Sequence, residues 1–294
     1  MRILVAGRSG QIAMSLAACA ERSEHEIFAV GRPELDLRDP QSIQRTMSKI
    51  APDVIINAAA YTAVDSAEDD EPAAFAVNAT GAGHLAEAAA VAGVPIVHLS
   101  TDYVFDGKAP KAYREDDATA PLGAYGRSKL AGEIAVRAAN PQHLIVRTSW
   151  VYSPFGSNFV KTMLRLAEGR DEVKVVDDQL GHPTYALDIA EALLAMCDRL
   201  QSGDAIKWGI YHMTGQGDAS WADFAEVIFT ESALQGGASA KVIRIASEGF
   251  PTRAKRPANS RLDTAKLSQG WGIVLPQWEL SVRNCVSRIL EIDG

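Results

Sequence analysis

The sequence predicts an α/β protein: a doubly wound, parallel, Rossmann-like sheet with a smaller C-terminal α/β substrate lobe. Three observations lead there. Short β-branched runs alternate with longer Ala-rich stretches through the first half of the chain, the pattern of repeated strand–helix–strand units. Each short run is mainly apolar and does not alternate with polar residues, as in strands covered on both faces. A glycine-bearing turn, Gly7-Arg8-Ser9-Gly10, follows the first run and opens the first helical stretch.

In chain order, strands are expected at 3–6, 27–30, 54–57, 96–100 and 144–148, with helices between them at about 10–21, 40–50, 72–92 and 124–139. Pro40 and Pro72 stand where a first-turn proline belongs, after Asp39 and Glu71. Gly93 followed by Pro95 ends the third helix. A helix near 156–168, a strand at 173–176 and a helix near 186–200 are expected next. Beyond Gly203 the turn-rich, Trp-containing segments read as an appended lobe, with 236–239 a loop and Arg253, Lys255 and Arg256 on the stretch 251–260. The expected division is a dinucleotide-binding domain of 1–150 plus roughly 173–215, and a smaller lobe of roughly 151–172 and 216–294.

With 294 residues, 47% hydrophobic and 22% charged, the chain is long enough for a full core, which excludes a disordered tail, a collagen repeat or a disulfide-built miniprotein. A net charge of −8 argues against nucleic-acid polymers and anionic membranes as partners. Cys19, Cys197 and Cys285 are odd in number and far apart, as structural thiols in a reducing compartment are. The apolar stretch 88–97 is too short to span a bilayer and contains Gly93 and Pro95. A cytoplasmic protein, monomer or homodimer, is expected.

The chemistry begins at the glycine turn. Gly7 permits a tight turn, and Gly10 lets backbone approach a pyrophosphate at the positive end of the helix that starts at Gln11 and Ile12; the other reading is a plain strand–helix turn. Ala13 replaces a third glycine. The second strand ends Val30-Gly31-Arg32 with no acid for ribose hydroxyls. Arg32 is either an exposed loop arginine or a fork for a 2′-phosphate, which favours NADPH with NADH as a usable second; Asp36-Leu37 follows as an adenine flank. Tyr125 and Lys129 form Tyr-x-x-x-Lys, one above the other on a helix face, where an ammonium is expected to lower the phenol toward a useful acid–base range. The motif gains weight from its neighbour, a fourth strand ending in Ser100-Thr101-Asp102, because catalytic groups in open α/β sheets gather at the carboxyl ends of strands. Local turn bonding is the alternative use of those hydroxyls.

These residues resemble the extended short-chain dehydrogenase/reductases and, within them, the dTDP-4-dehydrorhamnose reductase family. The resemblance rests on the segment 7–12, on 52–65 (PDVIINAAAYTAVD), on Ser100-Thr101-Asp102-Tyr103-Val104-Phe105 and on Tyr125 to Lys129 with Leu130-Ala131-Gly132-Glu133. Arg147-Thr148-Ser149-Trp150-Val151-Tyr152 and 256–262 (RPANSRL) extend it over nearly the whole chain. It implies NADPH- or NADH-dependent reduction of the C4 ketone of a dTDP-sugar, dTDP-4-dehydro-L-rhamnose. Tyr125 would be the proton donor, Lys129 its tuner and ribose ligand, and Thr101 a hydrogen-bond partner of the sugar oxygen, with Asp102 nearby. The same resemblance places Ala60, Tyr61 and Thr62 on the cofactor, Trp150 against the sugar, and Asn259 and Arg261 in the substrate lobe. Members that dimerise through Mg²⁺ take a carboxylate from the first helix. Here 10–20 holds no Asp or Glu, and Ser15 stands in that region.

An epimerase on this fold would consume no net NAD(P)H. A dehydratase would need a Glu after Thr101-Asp102. A silent NADP-binding regulatory subunit would have no use for Thr101, Tyr125 and Lys129. The acidic run Asp65, Glu68, Asp69, Asp70, Glu71 reads as a solvated helix entry. The histidines lack metal-ligand spacing, so no metal site is expected. No phosphate-binding Gly-x-x-x-x-Gly-Lys-Ser/Thr occurs.

Overall fold

The computed structural model describes residues 1–20, 22–203 and 205–293. Glu21, Asp204 and Gly294, which fall at the ends of or inside three of the expected segments, lie outside the described residues. Six parallel strands form the main sheet, in spatial order Glu26–Val30, Arg2–Ala6, Val54–Asn57, Ile96–Thr101, His143–Thr148 and Gly209–His212. The chain moves to one side after the first strand and to the other after the second. The crevice at their carboxyl ends is therefore a topological switch point, the place where open α/β sheets bind ligands.

Alternation along each buried strand feeds two cores. Ile3, Val5, Val54, Ile56, Val97 and Leu99 pack with Leu16, Ile189 and Leu193 on one face. Leu4, Ala6, Ile55 and Ile96 pack with Ile43, Met47, Leu85 and Ala89 on the other. Helix Gln11–Ala20 lies against Ala186–Gln201 on the first face. Pro40–Ile50 starts as its sequence dictates: Asp39 caps it by accepting from the Gln41 N–H at 2.9 Å, with proline in the first turn.

The structure departs from the sequence-based expectation in three places. The single helix expected over 72–92 is Glu71–Phe75, a π-helical stretch Ala76–Gly81, then Ala82–Ala92 ending at Gly93 with φ +70°. The strand expected at 173–176 exists as Glu172–Val176, but it pairs with Lys241–Ile245, and Val173 and Val175 sit in the core of the lobe. It belongs with the lobe, not the main sheet. The sixth strand, Gly209–His212, was not anticipated as a strand.

In the lobe, helices Phe159–Ala167, Trp221–Leu234 and Trp278–Asp293 surround a core that includes Val160, Phe224, Ile228, Val282 and Cys285. Ser220 and Asp223 form a reciprocal capping box at the start of Trp221–Leu234. The lobe returns to the main sheet through the strap 250–262. On that strap Arg256 meets Asp65 at 2.8 Å, Arg253 meets Asp69, and Leu262 bridges to Tyr113.

Candidate active site

The switch-point turn is built from its glycines. Gly7 has φ +118°, and a Cβ there would press on the Ala58 and Ala59 backbone at 3.4 Å. At Gly10 a Cβ would meet only the Ala58 carbonyl, at 3.9 Å. That leaves a shallow cradle in front of the unsatisfied N–H groups of the helix that begins at Gln11. The cradle fits a dinucleotide pyrophosphate.

Around it the predicted cofactor residues divide. Arg32 is exposed at the tip of the second strand. Beside it stands Arg8, unremarked in the sequence, paired with Glu34 at 2.9 Å; Gly31 allows the two segments to touch. Asp36 is held by Arg38 at 2.7 Å, which keeps its carboxyl down at about 2, and the Leu37 side chain is buried in the core. Gln11 turns its side chain to the lobe, accepting from Ser153 at 2.9 Å and Asn158 at 3.0 Å, and Ile12 packs against the core. Those two residues offer the site their backbone only. Ser15 donates to the Gln11 carbonyl at 2.8 Å, a donor set that does not fit a Mg²⁺ ligand.

The loop carrying Ala60, Tyr61 and Thr62 is pinned by a residue the sequence reading missed. Asn78, in the π-helical stretch, accepts from the Tyr61 N–H at 2.7 Å and donates to the Tyr61 carbonyl at 3.1 Å and to Ser128 at 2.9 Å. One amide thus joins this loop to the helix Ala124–Ala139 that carries Tyr125 and Lys129. The signal in the sequence is an Asn in an Ala-rich helical run; the π-helical stretch around it, of a kind frequent at functional sites, is seen only in the structure.

That helix brings Tyr125 to the end of strand Ile96–Thr101. The Thr101 hydroxyl lies near the Tyr125 phenol and donates to Asp102 at 3.0 Å. The Tyr103 ring stands edge-on to Tyr125, centroids 5.6 Å apart. Burial, reinforced by the negative charge of Asp102 and opposed by Thr101, pushes the Tyr125 phenol up to about 12. Burial also raises Asp102 to about 6 and lowers Lys129 to about 8. The expectation that Lys129 lowers the Tyr125 phenol is therefore not met here: the ammonium donates to the Leu99 carbonyl at 2.6 Å, and burial prevails at the phenol. Ser100 does not share the cleft with Thr101; its hydroxyl donates to buried Glu133 at 2.6 Å.

Glu68 accepts from the Ala124 N–H at 2.8 Å at the start of the Tyr125 helix, Asp65 and Asp69 hold the strap, Asp70 caps Glu71–Phe75, and Glu71 pairs with Arg127 at 2.9 Å. The acidic run is thus a set of fastenings, not only a solvated helix entry. On the lobe side Trp150 adopts φ +48° and stacks on Trp221 with centroids 3.6 Å apart, and Gly181 leaves the space beneath it. Asn259 and Arg261 are engaged elsewhere: Asn259 donates to the Ala109 and Lys111 carbonyls at 2.8 and 2.7 Å, and Arg261 meets Asp218 at 2.8 Å and the Pro110 carbonyl at 2.9 Å. Both organise the strap.

A glycine cradle at the switch point, with a tyrosine, a threonine and a buried lysine at the end of the fourth strand, defines an NAD(P)-dependent oxidoreductase of the extended short-chain type. Comparison narrows this. A family model described as the RmlD substrate binding domain matches residues 1–291, and the chain belongs to that family. It is 52% identical over 291 residues to a dTDP-4-dehydrorhamnose reductase of Sinorhizobium fredii, covering 99% of this chain and 98% of that protein. A crystal structure of a dTDP-4-dehydrorhamnose reductase from Clostridium acetobutylicum superposes with a TM-score of 0.92 at 37% identity, over 99% of this chain and 100% of that one. The Bacillus anthracis enzyme in complex with NADP gives 0.89 at 35% identity, over 98% and 99%.

Proposed function

We propose that the protein reduces the C4 ketone of dTDP-4-dehydro-L-rhamnose to the alcohol of dTDP-L-rhamnose, with NADPH as the preferred reductant and NADH as a usable second. The observation that carries this reading is Tyr125 beside the strand end that holds Thr101, one helical turn from the buried Lys129, in a chain half identical to a reductase of that name over its full length. Gly7, Gly10 and the N–H groups of the first helical turn hold the cofactor's pyrophosphate, Ala60 to Thr62 flank it, and Lys129 reaches its ribose. When bound, the nicotinamide supplies a hydride to the carbonyl carbon.

The rest is done by side chains. Tyr125 donates a hydrogen bond to the ketone oxygen and so polarises it, while Thr101, whose one proton goes to Asp102, accepts from a sugar hydroxyl. A phenol held near 12 is protonated at neutral pH, the form a proton donor needs, and it gives its proton to the oxygen as negative charge develops there. The phenolate left behind regains its proton from solvent. Asp102 fixes the direction of the Thr101 hydroxyl. Trp150, backed by Trp221, forms a flat wall for the sugar. Arg8 and Arg32 supply positive charge where a 2′-phosphate would lie, which supports the preference for NADPH.

The test is oxidation of NADPH by purified protein with freshly generated dTDP-4-dehydro-L-rhamnose, NADH in parallel, and the product identified by NMR. Substrate-dependent oxidation yielding dTDP-L-rhamnose is expected. NADPH binding without oxidation of either cofactor would contradict the reading.

A further inference from the structure

Behind the cleft lies an ion pair that the reaction as described does not use. Glu133 and Arg147 each keep 2% of their side-chain surface exposed. They meet through two parallel bonds, Nε to Oε1 at 2.8 Å and Nη2 to Oε2 at 2.7 Å. Ser100 adds a third bond to Glu133 at 2.6 Å. Arg147 is also packed over the Phe105 ring at 5.0 Å. A buried pair of this kind is often replaceable by well-packed apolar side chains without loss of stability, so packing alone does not account for it.

Its position does. Glu133 stands one helical turn beyond Lys129, as Tyr125 stands one turn before it, so the three lie along one face. Opposite them, two consecutive residues of one strand end are engaged in turn, the Leu99 carbonyl by Lys129 and the Ser100 hydroxyl by Glu133, and Thr101, the next residue, lies near Tyr125. Lys129 is 3% exposed and needs a counter-charge to stay cationic there. The groups around it are Tyr125 and Glu133 on its own helix, His98 and the Leu99 carbonyl on the strand, and Arg147 beyond Glu133. His98 is buried and held neutral, partly by Lys129 itself. Of these ionisable groups, Glu133 is the one that carries negative charge.

We propose that Glu133 is a positioning residue for the reduction, an electrostatic anchor that keeps Lys129 charged and in register with Tyr125, and that Arg147 and Ser100 hold it in place. The proposal rests on the reading of Tyr125 and Lys129 as the reducing site, and it assigns a task to the Glu133 and Arg147 positions of two motifs that the reaction left unexplained. The burial that depresses Lys129 is opposed by Glu133.

The experiment titrates Lys129 directly by NMR of protein labelled at the lysine ε-carbon, its signal assigned by loss in Lys129→Met, alongside the pH profile of kcat/KM. In Glu133→Gln the Lys129 signal is expected to titrate about one pH unit or more lower, with the alkaline limb of the profile moving down in parallel. Glu133→Gln/Arg147→Met leaves no lone buried charge and guards against misfolding. A structural role predicts that this double variant recovers wild-type behaviour; the anchor predicts that it keeps the lowered titration. Glu133→Asp, which retains the charge, is expected to restore most of the shift. A folded variant without the carboxylate whose Lys129 titrates as in wild type would overturn the proposal. Failure of the wild type to reduce the sugar nucleotide would instead overturn the proposed function, because the lysine titration needs no substrate.

Discussion

Tyr125, Asp102 and Lys129 are three ionisable groups whose environments push them in different directions, and that separation sets the working range of the site. The phenol near 12 stays protonated across the physiological range. Lys129, lowered by burial to about 8, is cationic below that value and loses its proton above it. Asp102, raised by burial to about 6, carries its charge above that value and orients Thr101 only there. The profile of kcat/KM is therefore expected to be bell-shaped, with an acid limb near pH 6 and an alkaline limb near pH 8, as measured by initial rates in constant-ionic-strength buffers. Asp102→Asn should abolish the acid limb; an unchanged acid limb in that variant would assign it to another group.

At the level of elements, close approach decides as much as propensity. A Cβ on Gly132 would lie 2.0 Å from the Asn78 carbonyl oxygen. In an exposed helix interior Gly→Ala gains about 1 kcal/mol. Here Gly132→Ala is expected to cost about 1–3 kcal/mol and to lower Tm by several degrees, with loss of activity because Asn78 also pins the loop of Tyr61. A thermal melt checks it, and an unchanged or raised Tm would contradict the packing described. The five strands of the first half were legible because their residues are apolar on both faces, and their helices because Asp39-Pro40 and Gly93 are local signals that tertiary context did not override. Gly209–His212 was hidden because only Ile210 in it is aliphatic and it ends in His212, whose neutral ring burial holds at about 3. The π-helical stretch was hidden because no period in Ala76–Gly81 marks it; from it Asn78 reaches two other segments. Thr101, Tyr125 and Lys129 were legible as a group since they lie on a strand end and a helix face. The placements of Asn259 and Arg261 were not, because their partners are carbonyls and an Asp distant in sequence.

Across the whole molecule, the lobe is fastened to the dinucleotide-binding part by the strap, and the fastening points lie on the segment that also caps the Tyr125 helix. Arg256 meets Asp65, two residues beyond the Tyr61–Ala63 turn, and Glu68 holds the Ala124 N–H. Partly exposed ion pairs contribute about 0–1 kcal/mol each, so Arg256→Ala should leave Tm within about 2 °C of wild type. Under the proposed function, the strap it frees would line the sugar-nucleotide side of the cleft. A several-fold rise in KM for the sugar nucleotide is expected, with KM for NADPH little changed; steady-state kinetics with each substrate varied in turn would show it. Equal rises in both would mean that the strap also shapes the cofactor site.

In the proposed reaction Tyr125 gives its proton to a ketone oxygen while the cradle and Lys129 hold the cofactor independently of that step. The most direct measurement is single-turnover reduction of dTDP-4-dehydro-L-rhamnose by wild type and Tyr125→Phe, each preloaded with NADPH, with the NADPH dissociation constant measured on the same samples. The account predicts that Tyr125→Phe binds NADPH with nearly wild-type affinity and reduces the sugar about 10²–10⁴-fold more slowly. A folded variant that binds NADPH and keeps a near-wild-type rate would contradict it.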